Sequence, residues 1–345
     1  MSSAADHAAG SDRPSVLVAG ASGFAGAIAA RLIEHHPRFR LAAITARADA
    51  GRRLSELYPH HRVDRVLEEL DIAGLHGEVD AAIVGYPHAA SAPVVAALRK
   101  RGVRVVDLSA DFRFADVALY EQYYGPHPHP ELLAEAVYGL PELHREQIAG
   151  AGLVAGPGCY PTAAILALAP LARAGLLADV VIDAKSGVSG AGRAATQTTH
   201  FVSVAENMKA YKVGSHRHAP EIDEQLSLLA GSELRTTFTP HLVPLDQGEL
   251  ASCYVRTSGP CDPAALYEQA YRDEPFVDLV GVPPGVRDVR ETNRCAVHVS
   301  ADQRSGRVIV FAAIDNLWKG TASQAVQSLN LMFGFDETEG LGGTA

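Results

Sequence analysis

Cysteine is scarce in this chain of 345 residues, and the four present (Cys159, Cys253, Cys261 and Cys295) include no C-x-x-C pair. No signal peptide precedes the first predicted strand, so a reducing cytoplasm is the expected home. Positive charge is also short. The 30 Lys and Arg against 40 Asp and Glu leave a net charge of −10, which argues against a sequence-independent grip on nucleic acid or an anionic membrane. Any anionic substrate must then be held by local arginines and backbone amides. No uncharged apolar run approaches the roughly 20 residues of a membrane span, so no transmembrane segment is expected. Internal repeats and low-complexity tracts are missing too.

What is present is material for two cores: the length suits about two domains, and 47% of the residues are hydrophobic. The first dozen residues, rich in Ser, Ala and Asp, read as a loose tail. From Pro14 the pattern is βαβ, with the apolar run Val16 to Ala19, a glycine turn, a helical stretch from Ala27 to His35 and a strand from Leu41 to Thr45. Further runs at 81–84, 103–106 and 153–155 continue the winding. The fold class is therefore α/β, with a Rossmann-type doubly wound parallel sheet over residues 1–158. Beyond it, Val180 to Lys185, Thr236 to Leu245, Ala251 to Thr257, Val297 to Ala301 and Arg307 to Ile314 predict a mixed or antiparallel sheet in a second, α+β domain over 159–318. Thr321 to Phe333 spaces Val326, Leu329, Met332 and Phe333 on one helical face and stops at Gly334. This segment, part of 319–345, is expected to pack back on the first domain and complete it.

The turn after the first strand is Gly20-Ala21-Ser22-Gly23-Phe24-Ala25-Gly26. A glycine turn between a strand and a helix lets backbone amides and the helix N-terminus hold a pyrophosphate. The spacing is G-x-x-G-x-x-G rather than G-x-G-x-x-G, and a tight structural turn is the plain alternative. At the end of the second predicted strand, where an NAD site places an acidic residue, stands Arg47, with Arg52 and Arg53 beyond. These cations suit a 2′-phosphate and favour NADP, while Asp49 keeps NAD open.

Gly156-Pro157-Gly158-Cys159-Tyr160-Pro161-Thr162 lies between an apolar strand and an apolar helix, Ala163 to Ala172. Its prolines and glycines fix a sharp turn, with Pro161 suited to a first helical position. Cys159 then sits at a helix N-terminus, where dipole and free amides favour a thiolate. The other three cysteines read as buried structural thiols. His216 and His218 alternate just before a helix whose first turn carries Glu221. In an extended segment both imidazoles face one side, and the carboxylate reaches one of them as an orienting partner. A zinc pair and two surface histidines are the rival readings, and no third metal ligand follows. Lys185 to Arg193 is a second small-residue loop, either for phosphate or cofactor approach or as a flexible linker. Ser109 to Arg113 follows a strand end, where Arg113 can hold a substrate oxyanion or pair with Asp111 at the surface.

Together these segments resemble the N-acetyl-gamma-glutamyl-phosphate reductases, relatives of aspartate-semialdehyde dehydrogenase and glyceraldehyde-3-phosphate dehydrogenase. The resemblance runs from about residue 14 to the end through the glycine turn, Pro87-His88, Ser109 to Arg113, Tyr138 to Glu142, Pro157 to Thr162, Ser186 to Arg193, His216 to Glu221 and Asp315 to Gly320. Ala89 stands where that family often has glycine. The resemblance implies Cys159 as nucleophile of a thioacyl mechanism, His216 as principal acid/base, His218 lining the site and Glu221 orienting an imidazole. It implies NADP held by Gly20, Ser22, Gly23, Phe24, Ala25, Gly26, Arg47, Ser186, Gly187 and Asn316, with Asn316 near the nicotinamide. Substrate would meet Ser109, Arg113 and Tyr211, with no metal. A homodimer or homotetramer built through the second, catalytic and oligomerisation domain is also implied. The same chemistry on an aminoadipate-type or aspartyl acyl phosphate is the near alternative. A Cys-His acyl hydrolase, or a non-catalytic NADP-sensing module, is the distant one.

Overall fold

The computed structural model describes residues 13–74 and 79–342. The expected N-terminal tail and the last three residues of the 319–345 segment lie outside the described residues. Six short strands form the first sheet: β1 (Ser15–Ala19), β2 (Arg40–Thr45), β3 (Ala81–Val84), β4 (Arg104–Asp107), β5 (Ala136–Tyr138) and β6 (Leu153–Ala155). All pair in parallel, in the order β2-β1-β3-β4-β6-β5. Helices cover both faces, which is why β1 reads as an unbroken apolar run. Val16 and Val18 pack with Ile28 and Ile33 of the helix Phe24–Glu34, whereas Leu17 and Ala19 pack on the other face with Val95 and Leu98 of the helix Ala92–Lys100.

A second sheet of seven strands is mixed: β7 (Leu177–Ser186), β8 (Lys209–Ala210), β9 (Thr237–Leu242), β10 (Glu249–Thr257), β11 (Val277–Leu279), β12 (Cys295–Asp302) and β13 (Arg307–Ile314), in the order β11-β12-β13-β10-β7-β9-β8. One face buries Ile182, Ala251, Cys253, Val255 and Val310 against the helix Cys159–Arg173, whose flanks are apolar all round because the helix His218–Ala230 and the helix Pro263–Tyr271 close over it. The predicted strand Thr236 to Leu245 is shorter, because the chain curls at Val243, with the Leu245 amide bonded to the Val243 carbonyl at 2.7 Å. β10 begins two residues earlier than predicted, at Glu249. The predicted turn at 302–306 joins β12 to β13, with the Gly306 amide donating to the Asp302 carbonyl.

The chain then returns to the first sheet. A π-helical turn, Trp318–Ala322, leads into the helix Ser323–Met332, and Trp318, Ala322, Val326, Leu329 and Met332 join the core that holds Val16, Ile28 and Ile33. Gly334, at φ 69°, ends it in the left-handed conformation expected of a helix stop. Lys319 and Glu142, both fully buried, form an ion pair of 2.5 Å, with Gln327 as a second acceptor for the ammonium at 2.9 Å. Two motifs named in the sequence, Tyr138 to Glu142 and Asp315 to Gly320, thus meet as a structural tie. No helix of the described residues is long and apolar enough to cross a membrane.

Candidate active site

The glycine turn leaves β1 with its amides in distinct uses. Those of Gly20 and Ala21 donate to the Thr45 carbonyl of β2, at 3.0 and 2.9 Å. Gly23, extended at ψ 160°, caps the helix Phe24–Glu34, whose first turn carries no acidic residue, so its free N–H groups face an unopposed site for an anion. The backbone has no room for side chains here. A Cβ on Gly26 would stand 2.3 Å from the Gly20 carbonyl oxygen, and one on Gly20, at φ +83°, 2.7 Å from that of Gly85. This cradle fits a dinucleotide pyrophosphate. Arg47 is exposed at the β2 end, its guanidinium 5.0 Å from the Tyr86 ring centre, and has no carboxylate partner among the described residues. Arg52 and Arg53 are engaged, with Asp49 at 3.2 Å and Asp64 at 3.0 Å respectively. Asp49 also holds Arg193, whose guanidinium donates to the Ser22 carbonyl at 3.3 Å, so the second small-residue loop is pinned to the glycine turn.

Between the two sheets lies a cavity of about 700 Å³. Cys159, Ser109, Arg113, Ser186, Tyr211, His216 and His218 line it, joined by residues the sequence did not single out: Tyr124, Lys212, Arg217 and Leu242. Arg113, Arg193, Lys212 and Arg217 are the cations of this lining, and it contains no carboxylate. Gly20, Ser22, Gly23, Phe24, Ala25, Gly26, Arg47 and Gly187 lie outside it, as does Asn316, which is 1% exposed. The Asn316 amide is already spent, accepting from the Gly248 amide at 2.7 Å and donating to Ser189 Oγ at 3.1 Å. It braces the wall of the cavity from behind.

Cys159 opens its helix as the first residue after the Gly158 cap, so Pro161 stands in the third helical position and not, as predicted, the first. The glycines around it admit close neighbours. A Cβ on Gly158 would meet His218 Nε2 at 2.6 Å and Arg113 Nη1 at 3.0 Å, and one on Gly320 would meet Cys159 Cβ at 2.9 Å. The helix end lowers the thiol's proton affinity, as predicted, through the Tyr160 amide, and Arg113 assists. Burial and the neighbouring Glu249 outweigh both and push the thiol up, so the expected thiolate is not favoured by the protein alone.

The histidines differ from prediction in backbone and agree in proximity. Their segment is a turn: His218 starts its helix, and its amide donates to His216 Nδ1 at 3.1 Å. The ring centres are nevertheless 4.7 Å apart, and His216 lies edge-on to Tyr160, Tyr211 and Phe238. Since Nδ1 accepts, the neutral His216 ring carries its proton on Nε2. Burial, with Lys212 and Arg217, lowers its pKa to about 4, and burial takes His218 well below the usual range.

Glu221 orients no imidazole. Fully buried, it accepts from the Gly158 amide at 2.9 Å, the Tyr138 hydroxyl at 2.9 Å and Arg113 Nη1 at 3.2 Å. Arg113 in turn donates to the Gly156 and Leu108 carbonyls, and Asp111 turns away to the Ala89 and Ala92 amides and the Tyr120 hydroxyl. The surface pair between Asp111 and Arg113 is therefore absent. Asp111's hold explains how Ala89 is kept at φ 62°, a conformation that a glycine would take without strain. The Ser109 hydroxyl is committed to Asp107, 2.5 Å away. Among the described residues no group of three or more His, Cys, Asp or Glu side chains is arranged to hold a metal ion.

Comparison with known proteins places these parts in a family. Residues 15–151 match the semialdehyde dehydrogenase NAD binding domain, and residues 159–316 the semialdehyde dehydrogenase dimerisation domain. The chain is 50% identical to the N-acetyl-gamma-glutamyl-phosphate reductase of Desulforudis audaxviator, covering 94% of this chain and 97% of that one. With the enzyme of the same name from Syntrophobacter fumaroxidans it shares 49%, over 94% and 97%. Among solved structures, aspartate semialdehyde dehydrogenase II of Vibrio cholerae superposes with a TM-score of 0.73 at 19% identity, over 94% of this chain and 99% of that one. The NADP-bound enzyme of Candida albicans reaches 0.71 at 15%, over 93% and 98%. The chain belongs to the semialdehyde dehydrogenase family, among the N-acetyl-gamma-glutamyl-phosphate reductases.

Proposed function

We propose that this chain reduces N-acetyl-gamma-glutamyl phosphate to N-acetylglutamate semialdehyde with release of phosphate, using NADP and a thioacyl intermediate on Cys159. One observation carries this reading: the nucleophile opens into a cavity whose lining holds no carboxylate and two cations, Lys212 and Arg217, with no carboxylate partner among the described residues, in a protein whose net charge is −10. Such a lining suits an acyl phosphate, and the names of the relatives supply the acyl group. Residues 1–158 with 319–345 would bind the cofactor, and 159–318 would carry the catalytic thiol and join copies into a homodimer or homotetramer in the cytoplasm.

In this mechanism Lys212 and Arg217 offset the charge of the phosphate and draw it into the cavity, since Arg113 and Arg193 are already paired with Glu221 and Asp49. Cys159 attacks the acyl carbon, and phosphate leaves. The free amides of the elbow stabilise the oxygen of the tetrahedral species, held rigid by Glu221 on the Gly158 amide. The cradle at Gly20 to Gly26 and the unpaired Arg47 would hold the cofactor, whose reduced form, NADPH, would supply the hydride that reduces the thioester. His216, with its proton on Nε2, and His218 serve proton transfer at the reacting carbonyl. A hydrolase would need the same cysteine and histidine but leaves the glycine cradle without a task.

The test is phosphate-dependent reduction of NADP with N-acetylglutamate semialdehyde, run beside aspartate semialdehyde and the aminoadipate analogue. Turnover only with the first is expected. Preference for either of the others would move the substrate assignment, and turnover with none would overturn the activity.

A further inference from the structure

Glu249 is the first residue of β10, in register with Ser186 of β7 and Ile314 of β13. It is 0% exposed, and among the described residues neither carboxyl oxygen has an aligned hydrogen-bond partner. Burying a carboxyl that way is costly, and among the described residues no lysine or arginine bears on it to offset the cost. Its polar neighbours are the Cys159 thiol and the Ser186 hydroxyl, with Asp315 the one other charge that bears on it; Tyr160, Tyr211 and Cys295 stand around the same thiol and strand. Glu249 is in register with the cavity-lining Ser186 and with Ile314, and Ile314 and Cys159 together crowd Gly320, so this unpartnered carboxyl is placed beside the cysteine, where it can exchange a proton with the sulfur.

We propose that Glu249 is a catalytic residue, the acid–base group of the Cys159 sulfur. Its carboxylate takes the thiol proton as sulfur bonds to the acyl carbon and the carbon–oxygen bond to phosphate breaks; the departing phosphate takes its own proton from water. When the thiohemiacetal oxyanion collapses to the aldehyde, the carbon–sulfur bond breaks, and the Glu249 carboxyl returns the proton to sulfur. The histidines are then left to the carbonyl oxygen. Burial supports this division, since it lifts the Glu249 carboxyl to about 8, near the pH of the medium, while His216 is held at about 4. The inference rests on Cys159 being the nucleophile.

Glu249→Gln, a neutral isostere, tests it through two readouts. Turnover should fall by about 10²-fold or more, the usual worth of a positioned acid or base, with NADPH affinity unchanged. The pH midpoint for alkylation of Cys159 by iodoacetamide should move down, because a negative neighbour no longer opposes the thiolate. Unchanged turnover, or lost turnover with an unmoved alkylation midpoint, would overturn the proposal; the second outcome would mark a structural role. If the variant does not fold, infrared difference spectra of the unmodified protein should show a protonated carboxyl that titrates near pH 8 and is perturbed when Cys159 is alkylated. A carboxyl fully ionised at pH 6 would be fatal. Cys159→Ser separates the two readings: if that variant keeps turnover, the thioacyl mechanism itself fails.

Discussion

Cys159 sits between influences of opposite sign: a helix end and Arg113 favour its thiolate, while burial and Glu249 oppose it, and the opposition prevails in the protein by itself. On the proposed mechanism, such a thiol attacks the acyl phosphate only once its proton is taken. Cys159→Ser should keep NADPH binding and lose turnover by several orders of magnitude, because a serine hydroxyl is far less acidic. Protection of Cys159 from iodoacetamide by the acyl phosphate would check the same point. For the histidines, His216→Asn should lower turnover by about 10²- to 10⁴-fold. His218→Asn should do less, and the reverse order in kcat would exchange their roles, since His218 Nε2 is the ring nitrogen beside the elbow. The site's sequence signals were those with a fixed local shape. Cys159 was legible because glycine and proline fix its turn, and the histidine pair because it is two residues apart. The partners of Glu221 were not legible, because Arg113 and Tyr138 come from 108 and 83 residues away. Glu249 left no local signal at all: a lone Glu near Gly248 reads as surface until β10 is seen to begin there.

At the scale of elements, the βα turns carried strong signals because each needs a special backbone. Gly26 is the sharpest case, and Gly26→Ala would force the cradle open, since the new methyl has only 2.3 Å to the Gly20 carbonyl. Overpacking of that kind costs about 1–3 kcal/mol, so NADPH affinity by fluorescence titration should weaken by roughly tenfold to a hundredfold. The β2 end makes a separate prediction. Arg47→Ala should weaken NADPH by about 1.5–3 kcal/mol and leave NADH nearly unchanged, because a guanidinium gains a charged partner only from the 2′-phosphate. Arg52 and Arg53 already hold Asp49 and Asp64, so they are poor substitutes for it. Equal affinity for the two cofactors in the unmutated protein would sink the NADP assignment. The strands β5, β8 and β11, of three, two and three residues, were not read from the sequence, where so short a run shows no alternation; β6 is as short and was read from its apolar run, Leu153 to Ala155. The longer runs were found to within a few residues, with errors where the chain curls after Leu242 or where a polar residue, Glu249, starts a strand.

Over the whole molecule, stability becomes a matter of buried groups whose proton affinities the fold has displaced. Burial lowers His61 and His216 to about 4, so the unfolded chain binds protons more readily than the folded one between pH 4 and about 6.5, and stability rises with pH across that window. Burial raises Asp107 to about 6, Glu224 to about 7 and Glu249 to about 8. For these the folded chain is the better proton binder above the ordinary carboxyl range, so each removes stability as pH climbs toward its folded value. The two sets oppose one another up to about pH 6.5, and beyond it the carboxyls act alone. Unfolding free energy from urea titration should therefore fall from about pH 6.5 toward pH 8. Glu249 is the last of the three to ionise, and its share of that fall is about 2 kcal/mol between pH 6 and 8. Glu249→Gln has no charge to lose. Standing in for the protonated carboxyl, it should exceed the unmutated protein's stability by about 2 kcal/mol more at pH 8 than at pH 6, and flatten the alkaline limb. Parallel curves for the two proteins across the whole range would mean that the carboxyl is ionised in the fold even at pH 6, and would remove the physical basis for placing a proton on it beside the sulfur.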